Sequence, residues 1–243
     1  MIEELHLIGM GTGSPAHLTL EGREALRSVD VILVPEKGRG KDDLAGLRRT
    51  ILTATGSTAR ELPFAYPLRD PALPYLKRVE RWHDAIAACW AQALAGHTGT
   101  AALLVWGDPS LYDSTLRIAT RLSPKPPIRV IPGITSLQAL TAAHSIALNT
   151  LDGAVQITTG RRLREEGLPE GIASTIVMLD GEATFQHLTE PGLHIWWGAY
   201  LGMPEQILAE GPLPDIAPHI VETRVAARAA HGWLMDTYLV RRT

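Results

Sequence analysis

Leu5-His6-Leu7-Ile8-Gly9-Met10-Gly11-Thr12-Gly13-Ser14-Pro15 is the stretch on which the reading of this chain turns. Four β-prone residues run into three glycines spaced two apart, and glycine permits tight turns and close approach of a ligand to the main chain. A dinucleotide-binding loop needs Gly-x-Gly-x-x-Gly opening directly into a helix, with an acid about 20 residues further on for the ribose. Here the spacing is Gly-x-Gly-x-Gly, Pro15 follows, and the helical pattern begins only after Thr19, a suitable N-cap. Glu36, at the end of the next strand pattern, keeps a dinucleotide oxidoreductase open as an alternative. A sharp strand-to-helix turn without ligand is another.

Around this loop short β-rich runs alternate with helical patterns. Residues 21–28 read as helix, 31–34 as strand, 74–95 as one long helix and 101–106 as strand. Such alternation predicts an α/β fold with a largely parallel sheet. The proline-studded stretch through Pro63, Pro67, Pro71 and Pro74 reads as exposed loop. A second proline cluster, residues 123–127, reads as the boundary between two α/β lobes, 1–122 and 128–243. Beyond it, residues 128–131, 154–158, 175–179, 194–200 and 220–225 are strand-like, while 136–145 and 204–209 are helix-like.

Bulk properties narrow the function classes. The 243 residues are 45 % hydrophobic and 20 % charged, as in a soluble globular enzyme. A net charge of −3, from 23 basic and 26 acidic residues, gives no global field to gather nucleic acid or an anionic membrane. The single cysteine, Cys89, leaves no partner within the chain for a disulfide or a cysteine-based metal site, which fits a reducing cytoplasm. It lies in the stripe Val79, Trp82, Ile86, Cys89, Ala93, whose helical spacing predicts core packing. Met1-Ile2-Glu3-Glu4 lacks the basic start of a secretory signal, and the most apolar windows, 85–95 and 101–106, fall short of the roughly 20 residues that span a bilayer.

Two further turns carry chemistry. Gly107-Asp108-Pro109-Ser110-Leu111-Tyr112-Asp113 follows the 101–106 strand, where open α/β sheets gather ligands. Asp108 there is a rigidly placed acceptor for an ammonium or ribose hydroxyls, or a plain turn aspartate. Pro132-Gly133-Ile134-Thr135-Ser136 leads into an alanine-rich helix, and Thr135 or Ser136 can cap it or meet ligand oxygens.

In order and spacing the three turns together resemble the tetrapyrrole methylases, over most of the chain. The resemblance implies two α/β lobes with S-adenosyl-L-methionine folded in a cleft between them and S-adenosyl-L-homocysteine as product. It places Pro15, Trp106, Gly107, Asp108, Leu111, Thr135, Ser136, Met178, Leu179 and Leu201 around the cofactor. The segment from Arg224 onward departs from the usual pattern. Within the family, the runs 34–44 and Trp82-His83-Asp84 resemble the branch of cobalamin synthesis that removes an acetyl group as acetate and methylates carbon 1 of its substrate. Homodimers are usual in the family, and a homodimer is expected here on that ground alone.

Methyl transfer from a sulfonium is an in-line displacement that calls for alignment and exclusion of water, without a metal. Deacetylation requires water to add to the acetyl carbonyl, hence a general base, and His83, His144, Glu36 and Tyr112 are the candidates. Lys37, Arg39, Lys41, Arg48, Arg49 and Arg69 form a local basic patch able to clamp the carboxylates of a small tetrapyrrole, or else a solvated charged face. Another methylase of the same fold, and a non-catalytic cofactor-binding module, remain alternatives.

Overall fold

The computed structural model describes residues 1–36 and 42–242, with the side chains of residues 42–45 excepted. It divides into two compact units, Met1–Thr135 and Ser136–Thr243. Among the described residues the first holds five strands, β1 (Ile2–Gly9), β2 (Val31–Glu36), β3 (Arg60–Ala65), β4 (Gly99–Val105) and β5 (Ile128–Ile131), and four α-helices, α1 (Leu20–Ser28), α2 (Asp42–Thr55), α3 (Tyr75–Leu94) and α4 (Thr115–Ala119). The strands lie in the order β3-β2-β4-β1-β5 and every pairing is parallel.

Both faces of this sheet are covered, so its strands are apolar without alternation. Leu5, Leu7, Val31, Leu33, Leu103 and Val105 pack on Ile86, Ala87 and Trp90 of α3 and Ile118 of α4. The intervening residues Ile8, Ile32, Val34, Ala102 and Leu104 face Leu26 of α1 and Ile51 and Leu52 of α2. Each buried leucine, isoleucine or valine among them contributes about 1.5–3 kcal/mol of transfer free energy. Cys89 packs half-buried against the α3 side, in the stripe expected of it. Thr19 caps α1, its hydroxyl accepting from the Gly22 amide at 3.0 Å.

Three expectations are corrected here. The proline-rich stretch is not all loop, because Pro63 lies within β3; that strand is at the sheet edge, where a residue without an N–H is tolerated. Arg48 and Arg49, whose sequence neighbourhood reads as lying in or beside loops at the strand ends, lie on α2. The proline cluster at 123–127 does not separate the units, since β5 follows it and pairs with β1.

The second unit contains α5 (Ser136–Ala143), β6 (Val155–Thr159), α6 (Gly160–Glu166), β7 (Ser174–Met178), β8 (Leu193–Ala199), β9 (Ile207–Pro212), α7 (Leu213–His231) and β10 (Asp236–Arg242). Its sheet runs β6-β7-β10-β8-β9, parallel between β6 and β7 and antiparallel elsewhere. Val177, Ile195, Trp197 and Tyr238 pack on Leu213, Ile220 and Ala227. Residues 220–225, expected to be strand, belong to α7. Their β-branched side chains argue for strand, but Leu213, Ile220, Arg224 and Ala227 share one buried helical face, and burial overrides propensity. Residues 207–209, expected to be helical, open β9, whose alternately half-buried and exposed residues mark a strand. Among the described residues, no helix is long and apolar enough to cross a membrane.

Candidate active site

The three glycine turns, far apart in sequence, meet at the carboxyl ends of β1, β4 and β5. Gly11 and Gly107 exchange main-chain hydrogen bonds, at 3.3 Å from the Gly11 amide and 2.8 Å from the Gly107 amide. Both adopt φ near +70°, at 73° and 65°, open to glycine without strain. Gly133 lies so close that a Cβ there would stand 2.2 Å from the Gly107 carbonyl oxygen and 2.8 Å from Gly9. The result is a main-chain cradle at the end of a parallel sheet where ligands of such folds are received.

Asp108 pins the cradle. One carboxylate oxygen accepts the Ser110 amide at 2.8 Å and the Ser110 hydroxyl, and the other accepts the Gly133 amide at 2.8 Å. Burial pushes its pKa up, but the hydrogen bonds from Ser110 and Gly133 outweigh burial and leave it below the ordinary value. The carboxylate thus faces protein donors, where the sequence suggested a direct acceptor for the cofactor. Trp106 packs on the α1–α2 side of the core, and half-buried Leu111 donates its amide to the Asp108 carbonyl at 3.3 Å. Exposed Tyr112 follows at φ 48°. Exposed Pro15 opens a 3-10 turn whose first amide is held by the Ser14 hydroxyl at 3.2 Å. Half-buried Thr135 ends the first unit.

In the second unit Ser136 opens α5, and its hydroxyl oxygen is buried without a hydrogen-bond partner among the described residues. Met178 ends β7 half-buried; Leu179 follows at φ 55° with its apolar side chain 67 % exposed. The Leu201 side chain is instead packed into the core: a Cβ on Gly198 would stand 2.6 Å from its Cδ2.

The candidate bases separate by environment. His83 on α3 is 4 % exposed, and its Nε2 is buried without a hydrogen-bond partner among the described residues. Burial, then Arg121, Arg117 and Arg69, push its pKa down against the opposing pull of Asp84. His144 has both nitrogens engaged, Nε2 with the Trp197 carbonyl at 3.0 Å and Nδ1 with Glu210 at 3.3 Å, and so braces α5 against β8 and β9. Glu36 is exposed and lies 3.8 Å from Arg49.

Of the expected substrate cations, Lys37, Arg39 and Lys41 lie outside the described residues. The Arg48 guanidinium is lowered by burial, with Tyr66 and Asp113 opposing. Arg69 is exposed and stacks 3.9 Å over the Trp82 ring. Arg117 and Arg121, which the sequence reading missed, bind the Asp113 carbonyl and the Asp84 carboxylate; their spacing of four on the segment after the Asp108 loop was the available signal. A cavity of about 900 Å³ is bounded by Met1, Ile2, Leu94, Leu122 and Pro124 at the amino ends of the strands, away from the glycine cradle.

Comparison with known proteins agrees with this geometry. The sequence matches the family model for Tetrapyrrole (Corrin/Porphyrin) Methylases over residues 4–217. It is 44 % identical to a Sinorhizobium precorrin-6A synthase [deacetylating], covering 99 % of this chain and 96 % of that protein, and 30 % identical to a Sinorhizobium precorrin-2 C(20)-methyltransferase over 66 % of each. The crystal structure of a cobalamin-synthesis-related protein, CobF, from Corynebacterium diphtheriae superposes with a TM-score of 0.84 at 36 % identity, covering 100 % of this chain and 99 % of that one. A Thermus thermophilus uroporphyrin-III C-methyltransferase complexed with S-adenosyl homocysteine shares the fold, with a TM-score of 0.62 at 18 % identity over 98 % and 97 % of the two chains. With its glycine turns, its two sheets and these relatives, the chain belongs to the tetrapyrrole methylase family and is an S-adenosylmethionine-dependent methyltransferase.

Proposed function

We propose that the protein is a deacetylating precorrin-6A synthase of cobalamin biosynthesis, which removes an acetyl group from precorrin-5 as acetate and methylates carbon 1. The observation that carries this reading is the 44 % identity to a protein of that name along nearly the whole of both chains. The residues fit the cofactor. The Ser136 hydroxyl is a buried polar atom with no hydrogen-bond partner among the described residues, and the turns at Gly9, Gly107 and Gly133 pack main chain on main chain at the sheet end. The family resemblance assigns Pro15, Trp106, Gly107, Leu111 and Thr135 to the cofactor, with Asp108 shaping the loop, and separately assigns Ser136, Met178 and Leu179 to it. S-adenosylmethionine supplies an activated methyl group, with S-adenosylhomocysteine as the product.

The protein's own work is to align and to move a proton. Apolar Trp106 and Leu111 exclude water from the methyl-transfer path. His83, neutral because burial and three arginines disfavour its cation, takes the proton of the water that adds to the acetyl carbonyl. Scission of the carbon–carbon bond then releases acetic acid and leaves its electron pair on the ring carbon that accepts the methyl. Exposed Arg69 is assigned to substrate carboxylates, as are Lys37, Arg39, Lys41 and Arg48 from the sequence. The single cysteine supports a cytoplasmic location, and the homodimer rests on family habit.

Substrate preference tests the reading. Supplied with S-adenosylmethionine, the purified protein is expected to methylate precorrin-5 and leave precorrin-2 unchanged. Turnover of precorrin-2 with none of precorrin-5 would assign it to another step on the same fold.

A further inference from the structure

Arg224, where the sequence leaves the family pattern, occupies the centre of a buried polar network in the second unit. It is 5 % exposed. Its Nη1 donates to Asp236, whose Oδ2 also accepts the Trp197 indole N–H at 2.7 Å. Its Nη2 donates to the main-chain carbonyl of Asp180 at 2.7 Å. The Asp180 carboxylate is fixed in turn by the Thr184 amide at 2.6 Å, the Thr184 hydroxyl at 2.9 Å, the Glu182 amide at 3.2 Å and the Tyr238 hydroxyl at 2.7 Å. Burial and the neighbouring Asp180 keep the Tyr238 phenol far above its ordinary pKa, so it stays a donor.

A buried ion pair adds little net stability compared with well-packed apolar residues, so its presence points to conformational specificity. The conformation in question is that of Leu179. A leucine at φ 55° is strained, and such backbone persists only where its surroundings over-determine it. Asp180, the next residue, is held at its carbonyl by Arg224 and at its carboxylate by four donors, while the β7 pairings hold the preceding side through Met178. The strained residue holds a large apolar side chain out of the unit, 67 % exposed.

We propose that Arg224 is a positioning residue for S-adenosylmethionine: by anchoring the Asp180 carbonyl it locks the Leu179 turn and presents the Leu179 side chain to the cofactor. The proposal rests on the assignment of the Met178–Leu179 turn to the cofactor. Without the Nη2 bond the peptide between Asp180 and Gly181 can rotate, and Leu179 can relax toward the β region.

Arg224→Lys tests this, because an ammonium can remain beside Asp236 but does not reproduce the two-pronged reach to the Asp180 carbonyl. Calorimetric titration with S-adenosylhomocysteine and steady-state kinetics with S-adenosylmethionine are expected to show dissociation constant and KM raised roughly tenfold, as for loss of one hydrogen bond from a charged donor, with kcat within about a factor of two. Leu179→Ala, which leaves the network intact, is expected to weaken binding similarly. Wild-type affinity in a folded Arg224→Lys protein, or a fall in kcat with KM unchanged, would overturn the role of Arg224. Wild-type affinity in Leu179→Ala would instead overturn the assignment of the turn, and the proposal with it. Should Arg224→Lys fail to fold, Tyr238→Phe removes one donor from Asp180; a KM raised about threefold supports the proposal, and an unchanged KM overturns it.

Discussion

The amide of Gly133 donates to the Asp108 carboxylate at 2.8 Å, joining the loop after β4 to the turn after β5. This bond, with the Ser110 donors on the other oxygen, converts two chain reversals into one wall of the glycine cradle. Asp108→Ala is expected to lose about 2 kcal/mol of stability, the scale of hydrogen bonds to a charged acceptor, and to weaken S-adenosylhomocysteine binding at least roughly tenfold. Denaturant unfolding and calorimetric titration measure the two effects. The Asp108 pKa is lowered on folding, so its contribution is present above the ordinary value of 3.8 and is lost as pH falls through the lower folded value. The stability gap between wild type and Asp108→Asn should therefore close only below pH 3.8.

Gly133→Ala is expected to be among the most damaging single-methyl additions in the first unit. The added Cβ would lie 2.2 Å from a main-chain oxygen that cannot swing away, so the turns must separate. Gly46→Ala, with nothing among the described residues within 4 Å of the new carbon, is the contrast, and as a change inside α2 it should stabilise by about 0.5–1 kcal/mol. Thermal unfolding of both variants checks the difference in sign.

His83 is expected to set the acid limb of acetate release. Its folded pKa lies below 6.5, so the neutral base is retained until the pH falls through that lower value, and activity should decline there. Because the unfolded chain takes up the proton first, His83 also makes the fold less stable as pH falls below 6.5 toward the folded value. His83→Asn should abolish the limb and lower kcat by 10²-fold or more, on the order of a general base's contribution. An unchanged pH–rate profile would remove His83 from the role.

His144→Gln should behave oppositely. The histidine braces α5 through the Trp197 carbonyl and Glu210, so the variant is expected to unfold at lower temperature and keep the wild-type pH profile of acetate release. A shifted profile would return His144 to the list of bases.

The site was legible where chemistry forces particular residues into short range, and less so elsewhere. Gly9 and Gly133 are dictated by main-chain packing that no side chain permits and Gly107 by its φ of 65°, so they stand out in one dimension and meet in three. The apolar runs of β1, β2 and β4 follow from burial on both faces. By contrast α7 carries Ile220, Val221 and Val225 and an internal Pro218, local signals against helix that only its packing on β8 and β10 overrules. Boundary prolines misled for the same reason: β5 is claimed by β1 through tertiary pairing that residues 123–127 do not encode. Whether a histidine is a base or a brace depended on partners 53 residues away, as for His144 and Trp197, and no local pattern announces them.

The most direct test is the stoichiometry of one reaction. Precorrin-5 is incubated with the protein and S-adenosylmethionine carrying a carbon-13 methyl group, and acetate and labelled product are counted by nuclear magnetic resonance and mass spectrometry. One acetate released per methyl incorporated, with the label on carbon 1, is the expected result. Methyl incorporation without acetate, or label on another ring carbon, would contradict the assignment.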